Sequence, residues 1–480
     1  MEKSNREQFL KQLGLLAAAG LLQPKSLFAE DPAIKVQDFS IIDLHCHPSL
    51  KMYLWGEDMR HRHCPGSGDN YIEQQIDIRT LQPGHVRGMM ATHYLVEASA
   101  KTQWTKLEWL FELVQNDFPR LEDKLEHEDF SNFTQINIMI DTLEDKLHLA
   151  NQYLNNEMFV VARNYRQFEK AISEGKIPFA HAIEGAHALG RHKPLGQRKR
   201  TGYQPIAGKM RANDHDVSRY IENLEALKAR GVCMITLGHL FENDVAYPCE
   251  GIAVNEKAGL GMNWHFDPDK NNFPLKPFVG PAVVEKMLEI GMIVDLTHTT
   301  PATCEEIFAM NNNKRPLTFT HVGSREMFNR YDQQYNGGAN KNFGYYSVSQ
   351  KEIEAICKTD GVIGVTFENF WLTGCNTHLS AAEKTRFHQS IPYVVEAMVD
   401  INQQTPKGDF SNIAIGSDFD GFADQCSDLY VPSQLSTLVD AMKNPDKYNV
   451  PKDKQHEFTD EEIRMVFYKN AQRLLEKGWT

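Results

Sequence analysis

The chain has 480 residues, 41% of them hydrophobic and 10% aromatic, enough for one large α/β domain with insertions or for two domains. Its 51 basic and 64 acidic residues leave a net charge of −13, which argues against nucleic acid or an anionic membrane as the main partner. Nineteen histidines leave room for a metal site without requiring one.

Residues 1–29 have the three parts of a secretory signal. Lys3 and Arg6 precede the apolar run from Leu13 to Leu22, and the small Ala29 closes the segment before Glu30-Asp31-Pro32. This predicts export, periplasmic or secreted, with residues 30–480 as a single mature domain. The run is too short to span a bilayer as a mature helix, so no stable membrane insertion is expected after its removal. The stretch from Asn5 to Lys11 resembles a twin-arginine signal with one arginine missing. An amphipathic helix opening a cytoplasmic protein is the alternative. No apolar C-terminal tail and no cysteine after the run announce a lipid anchor.

Beyond the signal, eight apolar, β-rich runs alternate with amphipathic segments: 39–47, 86–96, 177–188, 232–239, 292–298, 317–322, 362–367 and 413–419. That alternation predicts a (β/α)8 TIM-type barrel with long loop insertions, a doubly wound open sheet being the alternative. Helices are expected at 141–155, 217–230 and 281–289, at 347–358 without a strict capping box, and at 461–477 behind the capping pair Thr459 and Glu462. Polar, Gly- and Pro-containing stretches at 97–140, 190–215 and 241–279 read as insertions, and the basic patch 191–200 as a solvated loop. The eight cysteines form no C-x-x-C pair. In an exported chain Cys64, Cys249, Cys375 and Cys426 are disulfide candidates, whereas Cys233 and Cys357 sit in apolar surroundings that suit a core.

The chemistry-bearing residues stand at the ends of these runs. The first ends in His45-Cys46-His47, whose alternation turns both rings to one side, where they can share a metal ion. The third ends in Glu184, a carboxylate costly to bury unless paired with positive charge and so a candidate to bridge metals. The fifth and sixth finish on His298 and His321, and the eighth on Asp418. Each alone suits a satisfied buried polar group; together, at five of eight strand ends, they point to one mouth of a barrel. Imidazoles and carboxylates suit zinc or a similar divalent ion. Two such ions share a bridging hydroxide, polarise a carbonyl and stabilise an oxyanion, while a carboxylate such as Asp418 carries the proton.

The stretches Asp43 to His47, Ile183 to His187, Leu237 to His239, Val294 to His298, Thr320 to Arg325 and Ile415 to Gly421 resemble, in order and spacing, the successive motifs of the membrane (renal) dipeptidase family, peptidase family M19, in the amidohydrolase superfamily. The likeness runs from about residue 38 to 477. It implies a barrel with two zinc ions: His45, His47 and Glu184 on one, Glu184, His298 and His321 on the other, bridged by Glu184 and hydroxide. It further implies Asp418 as proton carrier, His239 as the substrate contact that polarises the carbonyl, and hydrolysis of a dipeptide, so that a small peptide is the expected partner. Oligomeric state is left open, a homodimer being one option.

Two departures from the family pattern are visible. The first motif of the family reads His-x-Asp, and His47 here removes one negative charge. The family's carboxylate-binding Arg-Asn pair is matched by Lys341-Asn342, with Arg330 as a stand-in, and lysine offers a point charge rather than a bidentate fork. An amidohydrolase of the same architecture acting on another amide, a lactone or a phosphoester is the alternative reading. A catalytically silent barrel that binds a peptide or a partner is another.

Overall fold

A computed structural model of the chain describes residues 39–60, 74–95, 132–190, 217–240, 242–249, 266–374, 389–421 and 428–480. The expected signal, the basic patch 191–200 and Cys64, Cys375 and Cys426 lie outside them.

All eight apolar runs become strands: β1 (Ile41–Cys46), β2 (Val86–Tyr94), β4 (Ile177–Glu184), β5 (Met234–Thr236), β6 (Ile293–Asp295), β7 (Thr318–Val322), β8 (Val362–Val365) and β9 (Ile413–Ile415). A further short strand, β3 (Phe159–Ala162), falls outside the expected eight. Every pairing is parallel, in the order β2-β1-β9-β8-β7-β6-β5-β4, and β2 pairs with β4 from Met89↔Phe179 to Tyr94↔Glu184, which closes the barrel. One edge of β4 takes β2; the other is shared, with β3 along Ile177–Ala180 and β5 along Ala182–Glu184. Strands buried on both faces by barrel contents and helices need no polar alternation, which is why they read as unbroken apolar runs.

The longer helices in chain order are α1 (Pro48–Trp55), α2 (Asn132–Leu154), α3 (Tyr165–Ser173), α4 (Val217–Ala229), α5 (Val279–Glu289), α6 (Pro301–Asn311), α7 (Arg325–Asn336), α8 (Gln350–Lys358), α9 (Ile391–Gln404), α10 (Leu435–Lys443), α11 (Asp460–Arg464) and α12 (Asn470–Gly478). Three differ from expectation. Helix α2 starts at Asn132, inside the stretch read as an insertion, because Gln135, Ile136, Met139, Ile140 and Leu143 extend its buried face upstream. Helix α8 does carry a strict capping box, made by Ser349 and Glu352. The Thr459–Glu462 box forms as expected, but a π-helical turn at Met465–Lys469 interrupts the last helix and separates α11 from α12. Cys249 is a buried free thiol rather than half of a disulfide, and Cys357 is only partly buried. Among the described residues no helix is long and apolar enough to cross a membrane.

Candidate metal centre

The β1–β9 junction places three of the site residues. Asp43 accepts from the backbone N–H groups of His45 at 3.2 Å and Ser417 at 3.0 Å and from the Ser417 hydroxyl. Past the strand ends the ladder continues, with Asp418 N–H donating to His45 O at 2.9 Å and His47 N–H to Phe419 O at 2.7 Å. His45 thereby lies in β1 and His47 just beyond it, at the N-cap of α1, and Asp418 faces both. Asp418 sits at φ 59°, a left-handed conformation seldom adopted by a non-glycine residue and common at functional sites. Gly421 makes room for it, since a Cβ there would fall 2.3 Å from the Asp418 carboxylate oxygen.

Glu184 ends β4, and His321 lies in β7 with its carbonyl held by the Tyr346 hydroxyl at 2.6 Å. His298 is not on its strand. Strand β6 stops at Asp295, and a turn with His298 at φ 66° swings the ring in, its carbonyl accepting from Cys249 N–H at 2.6 Å. The segment 242–249, expected as an insertion, thus braces the ligand-bearing turn.

All these side chains are buried, and they converge on one carboxylate. Nε2 of His45, His298 and His321 lie 3.4, 3.2 and 3.4 Å from Glu184 Oε1, while Nε2 of His47 and His239 lie 3.4 and 3.5 Å from Oε2. His45 and His47 approach at 3.0 Å and His298 and His321 at 3.2 Å, Nε2 to Nε2. Asp418 Oδ1 stands 3.1 Å from His47 Nε2 and 3.8 Å from His45 Nε2. Bonds of about 2.1 Å to a tetrahedral ion put ligand atoms roughly 3.4 Å apart, so the spacing fits. Two groups can each hold a divalent ion, His45–His47–Glu184 and Glu184–His298–His321, with Glu184 common to both. Glu184 Oε1 has no hydrogen-bond partner, nor have Nδ1 of His47 and His298. A buried carboxylate oxygen facing three ring nitrogens without a hydrogen bond is the signature expected of a ligand set.

The electrostatics agree. Burial holds His45, His298 and His321 below the ordinary imidazole range, in the neutral form that binds metals. For Glu184, burial acts upward, but His239, His45, His298 and His47 outweigh it and hold the carboxyl well below its usual range. Burial pulls His47 down, yet its hydrogen bond to Asp418 and the charges of Glu184 and Asp418 carry it above the ordinary value. Burial raises Asp418 above the usual aspartate range, which suits a group that accepts and releases a proton.

Of the residues singled out in the sequence, His45, His47, Glu184, His239, His298, His321 and Asp418 are brought together. Lys341 and Arg330 are not among them. Arg330 pairs with Glu396 and lies 3.8 Å from Asp400, both buried carboxylates on α9, and Lys341 is exposed in the turn after α7. Arg330 is therefore engaged by α9. Several neighbours were not anticipated. Tyr94 packs on His239 with ring centroids 4.2 Å apart, and Trp371 lies about equally far from His298 and His321, at 6.0 and 5.9 Å. Asp295 and Thr320 stand behind the imidazoles, within motifs that were noticed only for their histidines.

The profile of the membrane dipeptidase family (peptidase family M19) matches residues 210–478. An uncharacterized dipeptidase of Schizosaccharomyces pombe is 31% identical over 155 residues, which is 32% of this chain and 31% of that protein. The chain thus aligns with about a third of the length of that relative. Among solved structures, a metallopeptidase of Rhodobacter sphaeroides, liganded with a phosphinate mimic of the dipeptide L-Ala-D-Ala, superposes with a TM-score of 0.58 at 14% identity over 92% of this chain and all of that one. A probable dipeptidase of Pseudomonas aeruginosa, PvdM, superposes with a TM-score of 0.55 at 13% identity over 92% of this chain and 96% of that one. These two likenesses are of fold. With its profile matched over more than half of its length, the chain belongs to the membrane dipeptidase family, peptidase family M19.

Proposed function

We propose that the chain is a zinc-dependent dipeptidase whose two ions are shared through Glu184. The observation that carries this reading is the convergence of two imidazole pairs on one buried carboxylate, with Asp418 beside them. Bound there, a pair of divalent ions supplies an activated water and Lewis-acid polarisation of the scissile carbonyl. His45 and His47 hold one side of the pocket, His298 and His321 the other, and Glu184 spans them. Asp418 takes the proton of the attacking water and returns it to the leaving amine, a transfer favoured by a carboxyl raised above its usual range. His239, packed against Tyr94, contacts the substrate carbonyl from the side of Glu184 Oε2. The small peptide expected as substrate is also what the family's name and the dipeptide mimic in the Rhodobacter structure suggest. Export rests on residues 1–29 alone.

A specific feature favours a second reading. His47 stands where the family has aspartate, and one charge fewer suits an amidohydrolase acting on another amide, a lactone or a phosphoester. A panel of L-L and L-D dipeptides, lactones and phosphoesters, assayed with and without chelator, separates them. Chelator-sensitive release of amino acids is expected. No turnover of any dipeptide by protein holding two ions per chain would overturn the peptidase reading.

A further inference from the structure

Behind the ring of imidazoles lies a polar group that the proposed reaction does not use. Asp295, at the end of β6, is wholly buried and accepts five hydrogen bonds. Its Oδ1 takes Thr297 N–H at 3.1 Å, the Thr297 hydroxyl at 2.8 Å and Thr320 N–H at 3.1 Å. Its Oδ2 takes the hydroxyls of Thr236 at 2.5 Å and Thr320 at 2.7 Å. Thr320 Oγ1 is in turn 3.2 Å from Nδ1 of His45 and 2.9 Å from Nδ1 of His321. Although His45, Asp295 and His321 are close enough to hold an ion, the Thr320 hydroxyl already lies between them and is bonded to all three.

Proton counting gives this hub a direction. A carboxylate surrounded by donors only accepts, so the single hydroxyl proton of Thr320 goes to Asp295. Two lone pairs remain on Oγ1; the Thr297 hydroxyl, 3.4 Å away, gives its proton to Asp295 at 2.8 Å, so both accept from N–H groups. His45 and His321 must then both carry their proton on Nδ1, leaving Nε2 of each as a bare lone pair aimed at Glu184 Oε1. We propose that Thr320, held by Asp295, is the positioning residue that sets the tautomer and ring orientation of one imidazole in each half of the metal centre at once. The backbone keeps the hub in register: Gly416, beside β7, approaches Thr320 so closely that a Cβ would fall 1.7 Å from its carbonyl oxygen. A buried partner on the far nitrogen of a metal-bound imidazole is typically worth 10–100-fold in metal affinity. Here one hydroxyl serves two imidazoles in different halves, so its loss couples sites that imidazole substitutions separate.

This inference rests on the two-ion reading above, and the test keeps them apart. Metal-stripped protein is titrated with Zn2+ against a chromophoric chelator, which reads stoichiometry and affinity without assaying turnover. Wild type is expected to bind two ions; fewer than two would defeat the two-ion reading itself. Thr320→Val should weaken both ions by about 10–100-fold, Thr320→Ser should stay within about threefold of wild type because the hydroxyl is kept, and His47→Ala should weaken one ion only. Wild-type affinity for either ion in Thr320→Val, or Thr320→Ser as weak as Thr320→Val, would overturn the proposal. If circular dichroism shows Thr320→Val unfolded, Asp295→Asn takes its place: at least one ion should weaken by about 10–100-fold, and wild-type affinity for both would overturn the proposal. The new amide donates into Oγ1 and forces the Thr320 proton onto one of the two imidazoles.

Discussion

Two sets of buried histidines stand on opposite faces of β2 and β4, and they are wired differently. Tyr94 and Glu184 face the barrel interior, so alternation turns His93, and His181 three residues before Glu184, outward beneath α2. There Ser49 Oγ lies 2.8 Å from His93 Nδ1, His93 Nε2 lies 2.9 Å from His181 Nδ1, and His181 Nε2 lies 3.2 Å from Glu144 on α2. Every ring nitrogen in that file has a partner of its own. On the inner face, five ring nitrogens crowd one carboxylate whose Oε1 has no hydrogen bond. The histidines of the two faces are buried alike, although Glu144 is only partly buried; the proton order differs. A complete donor-to-acceptor order marks a structural group, and converging lone pairs without one mark a ligand set.

The comparison breaks most directly at Glu184 and at His181. Glu184→Gln should lose metal from both halves, and activity on dipeptides should fall on the order of 10³-fold or more, the scale of several kcal/mol of metal-assisted stabilisation. Elemental analysis and turnover measure it, and retention of two ions would show that Glu184 does not join the halves. His181→Ala should do the opposite: it removes the hydrogen-bond partner of His93 Nε2 and the imidazole partner of Glu144 and opens a cavity, at a cost of about 3 kcal/mol of stability in denaturant titrations. Turnover per bound ion should stay within about threefold of wild type. A large loss of turnover in a folded, metal-loaded His181→Ala would mean that the outer file takes part in the reaction.

The acid response sharpens the contrast. Burial holds His93 and His181 below the ordinary imidazole value of 6.5. The unfolded chain therefore takes up protons that the folded chain refuses, and their contribution is complete above pH 6.5 and declines as pH falls below it. Glu144 adds a second step. Its hydrogen bond from His181, working against burial, lowers it from 4.5 to about 2, so its contribution fades as pH drops from about 4.5 toward 2. His93→Gln should flatten the decline between pH 6.5 and 5 relative to wild type, measured as denaturation midpoints of metal-stripped protein. Parallel slopes would show that the file does not titrate this way. The smallest effect is expected for Arg330→Ala, which removes a half-exposed partner of Glu396: about 1 kcal/mol of stability, with an unchanged ratio of rates on a dipeptide and its C-terminal amide. A ratio shifted toward the amide would show Arg330 to be a carboxylate contact.

Much of the barrel was legible because parallel strands covered on both sides appear as unbroken apolar runs. Strand β3 escaped because it has four residues, two of them only partly buried, squeezed between two helices. The π turn is hidden in principle, since Ile463, Val466, Phe467, Ala471, Leu474 and Leu475 keep a spacing that any continuous helix would show. In the site, the imidazoles and Glu184 stood out because polar groups ending apolar runs demand an explanation. Asp295 and Thr320 did not, since a hydroxyl and a carboxylate in a strand acquire meaning only when three other segments deliver partners to them. The pairing of Arg330 was hidden for a related reason. Glu396 and Asp400, which engage it, lie more than sixty residues away on a helix whose facing side no local pattern reveals.

The shared edge of β4 bears on where rigidity is concentrated. With β2 along one side and β3 and β5 dividing the other, this strand has three neighbours where an ordinary barrel strand has two. Local opening of β4 would have to break ladders on both flanks together, so its amides belong with the slowest-exchanging hydrogens of the molecule. Glu184, on which the imidazoles of the pocket converge, is thereby mounted on the segment least free to fray.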